Sequence, residues 1–72
     1  MNAQEWLEAF AAEIGAEAPD EETFGELLEL AATAAHASER VAAPIACFMA
    51  GRDGRPASEL RALAERVSGD AG

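Results

Sequence analysis

The residues able to do chemistry in this 72-residue chain are few: one cysteine, one histidine, five arginines and fourteen carboxylates, with no tyrosine. A thiol–imidazole nucleophile would have to join Cys47 to His36. Cys47 sits among Ile45, Phe48 and Met49, the setting of a small core residue and not of an activated thiolate. A carboxylate-bridged dimetal centre in a helical bundle asks for Glu-x-x-His, and the residue three before His36 is Thr33. The reverse spacing, His36 with Glu39, occurs once, and one Cys with one His does not close a zinc shell. Gly51-Arg52-Asp53-Gly54 lacks the strand and the spacing of a phosphate loop. The expectation is a non-enzymatic protein with no metal and no cofactor.

What remains is the segment from His36 to Pro44. His36 and Arg40 are i and i+4 neighbours on a helix, with Glu39 between them, and they point away from the apolar arc of Phe24, Leu27, Ala31 and Ala35. One reading is a solvated polar face whose Arg40 caps the helix C-terminus. The other is a recognition face, in which an imidazole stands beside a guanidinium and takes an anionic group or a partner's carboxylate. Ser38 faces the apolar side, where its hydroxyl is expected to bond back to the carbonyl one turn earlier.

The elements that must position these residues read as helices throughout. No strand-like alternation and no internal repeat occurs, and the stretches between glycines and prolines are rich in Ala, Leu, Glu and Arg. Asn2 with Glu5 three residues on is a capping box, and Trp6, Leu7, Phe10, Ala11 and Ile14 make a stripe that Gly15 ends. Pro19 and Asp20 open a second helix, the longest, with an arc of Phe24, Leu27, Leu28, Ala31, Ala34, Ala35, Ser38 and Ala42, and it is predicted to run to about Arg40 or Val41. By the same wheel Leu30 lies off the centre of that arc and needs cover of its own. Pro44 forbids continuation, so a short third helix is expected from Pro44 to Ala50, ended by Gly51. Pro56 then starts a fourth helix with a stripe of Leu60, Leu63, Ala64 and Val67, and Ser68 to Gly72 are expected to fray. The fold predicted is all-α: one domain over 1–72, a compact bundle of four helices with a long central second helix.

From His36 to Gly51 the sequence Ala-Ser-Glu-Arg-Val-Ala-Ala-Pro-Ile-Ala-Cys-Phe-Met-Ala follows the histidine, preceded by a Trp6-bearing helix and an acidic helix start. This resembles a family of small actinobacterial helical domains of unknown function, typically reading His, a few small residues, Arg, Ala-Ala-Pro, an aliphatic, two hydroxylic residues, an aromatic, an aliphatic and Gly. Such domains are similar to tails fused to, or encoded beside, the guanylyltransferase that matures the molybdenum cofactor and the formate dehydrogenase accessory sulfurtransferase. The resemblance implies an accessory protein-interaction module in that setting and no activity of its own. Ala46 and Cys47 stand where the family carries hydroxylic residues. The alternative from the residues is a small-ligand module that holds an anion, a nucleotide or a metal on His36, Arg40 and Glu39.

Charge narrows the partners. The net charge is −9, and it is divided unevenly: residues 1–35 hold nine acids and no base, and residues 36–72 hold five of each. Such a surface repels nucleic acid and anionic membranes, and the longest uncharged run, Val41 to Gly51, is too short to span a bilayer. A single cysteine and no basic leader-like start point to a soluble cytoplasmic protein. A core of so few large apolar residues leaves a thin margin of stability. A homodimer is therefore expected, with arginines of the last helix approaching acids of the first two.

Overall fold

The computed structural model describes the backbone of residues 1–71 and the side chains of residues 1–69. Four helices follow one another: α1 Ala3–Ile14, α2 Glu21–Ala37, α3 Ala42–Asp53 and α4 Ala57–Ala71, with no strand among the described residues. The all-α bundle predicted from the sequence is what forms. Its extents are 39 × 23 × 18 Å, elongated for so short a chain.

Local chemistry sets most of the helix ends. Asn2 Oδ1 accepts the Glu5 N–H at 2.8 Å while a Glu5 carboxylate oxygen accepts the Asn2 N–H at 2.9 Å, so two orphan donors of α1 are satisfied reciprocally. At the other end Gly15 takes φ 71°, and the N–H groups of Ala16 and Gly15 bond the carbonyls of Ala11 and Ala12. Asp20 accepts from the Thr23 N–H at 2.7 Å and starts α2.

The exit from α2 comes earlier than its apolar pattern predicts. Ser38 leaves helical geometry (φ −137°, ψ −102°), and its Oγ–H and N–H both bond the Ala34 carbonyl. The Glu39 and Arg40 carbonyls then accept from the N–H groups of Ala42 and Ala43 in a tight turn. Pro44 thereby falls in the first turn of α3, where its missing N–H costs nothing. This helix also outlasts its expected stop. Gly51 stays helical, and the left-handed residue is Gly54, at φ 85°. α4 opens at Ala57, with the Pro56 carbonyl accepting from Glu59 and Leu60. It continues through Ala71, past the fraying expected from Ser68, whose Oγ–H bonds the Ala64 carbonyl at 3.0 Å; Gly72 lies outside the described residues.

Helix α2 is central, with α3 and α4 packed against it. That double packing moves its buried side away from the predicted arc. Leu30 is 3% exposed and is the largest side chain of the core, while Leu28 is 58% exposed. The sequence wheel orders these two the other way, because it assumes one covered face and α2 has two. Besides Leu30, only Ala11 and Ala50 are buried among the described residues. Between α2 and α4 the packing is tied by an ion pair of Glu26 with Arg61, both half-buried. The Glu26 carboxylate, with Glu65 adding to it, holds the Arg61 guanidinium protonated to higher pH than usual. Complementary charges of the two halves thus meet inside one chain, and this pairing of α4 with α2 does not call for a second copy.

Candidate functional site

The predicted site residues gather at the α2–α3 corner. His36 is in the last turn of α2, and Glu39 and Arg40 form the turn that follows. All three side chains are exposed, and among the described residues none of them makes a side-chain hydrogen bond or an ion pair. Arg40 therefore does not cap α2; the Ser38 hydroxyl does that work instead. No group of three or more His, Cys, Asp or Glu among the described residues is arranged to hold a metal ion. The corner is a pair of opposite charges and an imidazole, all open to water.

Cys47 is half-buried, its thiol 3.9 Å from the Leu27 carbonyl. Burial pushes the thiol above its ordinary range. A nucleophilic cysteine needs the opposite shift, from a nearby cation or a helix N-terminus.

A concave feature lies beside this corner. A groove of about 570 Å³ opens between α2, α3 and α4. Its cause is legible in the residue types that line it: Ala34 and Ala37 from α2, Ala46 and Ala50 from α3, and Ala64 from α4. Methyl side chains cannot fill the space where three helices converge, so a trough remains. Larger groups wall it, Leu30 and Met49 on one side and Leu60, Leu63 and Val67 on the other. Its two charged members, Asp53 and Arg55, neutralise each other: Arg55 donates to both carboxylate oxygens of Asp53, at 2.7 and 2.9 Å. That pairing holds the Asp53 carboxyl below the usual carboxylate range. An apolar guest fits such a groove better than an anion or a metal.

Two helix faces outside the groove are apolar and uncovered. On α1, Trp6, Phe10 and Ile14 are 54%, 47% and 59% exposed, with the rings of Trp6 and Phe10 stacked at 5.2 Å. At α3, the N-cap Val41 and then Ile45 and Phe48 follow at spacings of four and three and are 60–68% exposed. They lie opposite the side that carries Ala46 and Ala50. The sequence reading, centred on polar residues, passes over the groove and counts Val41, Ile45 and Phe48 of this outer face toward the core. Their signal is present all the same, in the recurrence of alanine at three- and four-residue spacing and in a third helix apolar on all sides. No helix among the described residues is long and apolar enough to cross a membrane.

No curated protein and no solved structure matches the chain. A family model covering nearly its whole length, residues 1–71, does match, and the chain belongs to that family, described as a domain of unknown function (DUF6457).

Proposed function

We propose that this domain is a non-catalytic accessory module that binds a partner protein by receiving an apolar segment of it in the groove between α2, α3 and α4. The observation that carries the reading is the groove itself: an alanine floor, aliphatic walls and charges that cancel at its end. From Leu30 to Ser38 it follows α2 for about 12 Å, room for roughly two turns of a guest helix. The alanine floor lets a guest backbone come close, as in helix-in-groove recognition. The exposed corner of His36, Glu39 and Arg40 stands next to Ala37 and Ser38 at one end, placed to read polar groups flanking the guest.

The setting proposed is molybdenum-cofactor maturation in the cytoplasm, with the guanylyltransferase of that route as partner; this rests on the resemblance of His36 to Gly51. The test is a titration of the purified guanylyltransferase with wild type, with Ala34→Leu, which fills the groove, and with the His36→Ala/Arg40→Ala pair. Binding that Ala34→Leu abolishes while helicity is retained is the expected result. Binding of a nucleotide, pterin or metal alone, lost in the His36/Arg40 pair and kept in Ala34→Leu, would replace the proposal with the small-ligand reading. No binding by any form overturns the choice of partner.

A further inference from the structure

We infer that the outer faces of α1 and α3 are the two halves of a self-association surface: Trp6, Phe10 and Ile14 of one copy pack on Val41, Ile45 and Phe48 of a second, and the reverse contact closes the pair. The inference uses apolar surface that the groove does not and shares with that reading only Arg40, at the edge of both, so Phe48→Glu and Ala34→Leu test the two separately.

Three observations support it. A helix apolar all round belongs inside an assembly, and α3 presents Ala46 and Ala50 inward and Val41, Ile45 and Phe48 outward. The amount of surface is right. Six side chains about half to two-thirds exposed offer on the order of 600 Å² per copy, enough for the apolar part of an interface burying roughly 800 Å² a side. Charge selects the pairing. The outer face of α3 is bounded by Arg40 and Arg52, and the guanidinium of Arg52 lies 5.7 Å from the Phe48 ring centre. Neither arginine has a carboxylate partner among the described residues. The α1 stripe is flanked by Glu13, two turns from Trp6 on the same side, and α1 has no basic residue. Antiparallel pairing of α3 with α3 would set arginine against arginine, and α1 with α1 would set acid against acid. In an α3–α3 pair Glu39 is the single acid near these arginines without a partner among the described residues, whereas α1 on α3 sets a helix with acids and no base against both of them, and making that contact twice ends the assembly at two copies.

Sedimentation equilibrium of the full chain at physiological salt tests this, since copies of charge −9 repel at low salt. The expected mass is twice 7.5 kDa at micromolar concentration. Phe48→Glu, at a solvent-facing position of the single chain, should weaken the dimer on the order of a hundredfold with helicity retained. Glu13→Arg should weaken it about threefold to fivefold. Combining Glu13→Arg with Arg40→Glu or with Arg52→Glu should restore it in one of the two cases. A single-copy mass throughout the micromolar range, an open series of larger species, or failure of both combinations to restore the dimer overturns the inference.

Discussion

Replacing Leu30 by alanine removes three carbons from the one large side chain that the fold buries almost completely, at 3% exposure. At about 0.8 kcal/mol per buried methylene-sized group the transfer loss alone is about 2.4 kcal/mol. Leu30 also lines the groove, so part of the vacated space opens to water and the additional cavity cost is small. The total is about 2.5–3.5 kcal/mol, a large share of the roughly 4–11 kcal/mol that a chain of this length has in all. Its thermal midpoint should fall by about 10–25 °C. Leu28→Ala, two residues earlier on the same helix and 58% exposed, should cost only about 0.5 kcal/mol. Urea unfolding followed by far-ultraviolet circular dichroism, with all forms at one chain concentration, reads both. A Leu28 cost equal to or greater than the Leu30 cost refutes the reasoning, because it would mean that α2 is covered along its single predicted arc and not on two sides.

Further outcomes follow from local geometry. Gly51→Ala should raise stability by about 0.5–1 kcal/mol, since Gly51 is helical with open space where a methyl would go, whereas Gly54→Ala should lower it by about 1–2 kcal/mol at its left-handed φ; thermal melts of the two give the sign of each. Thr23's N–H holds the Asp20 carboxyl below its usual range, so the stability this carboxylate contributes is complete above the unfolded-state value and lost as pH falls through the folded one. Wild type should therefore exceed Asp20→Asn near neutrality, and melts at decreasing pH should show the gap closing through the carboxylate range. Burial raises the Cys47 thiol, so alkylation at neutral pH should be on the order of tenfold slower in the folded chain than in urea, read by mass spectrometry.

The helix starts and several caps were legible in the sequence, whereas the early end of α2 at Ser38 and the late end of α3 at Gly54 were not. Asn2 with Glu5, Gly15, Asp20 and the back-bonded Ser38 each act where their types and spacing place them, because a cap needs only its own neighbours. Decisions taken between helices were not legible either. Leu30 reads as off-centre until α3 and α4 close on both sides of α2. Fifteen large apolar residues besides Met1 read as a core, yet nine of them stand exposed, including Trp6, Phe10, Ile45 and Phe48. For the site, composition identifies the polar corner of His36, Glu39 and Arg40. The adjoining groove depends on how five alanines from three helices converge, which no single helix determines.

Amide chemical-shift mapping on the isotope-labelled chain, titrated with the purified guanylyltransferase at a concentration below self-association, tests the central claim most directly. Binding through the groove predicts that the largest shifts fall on Leu30, Ala34, Ala50, Leu63 and Ala64, with smaller ones at His36 and Arg40. Shifts confined to His36, Glu39 and Arg40, with the alanine floor unmoved, would contradict it.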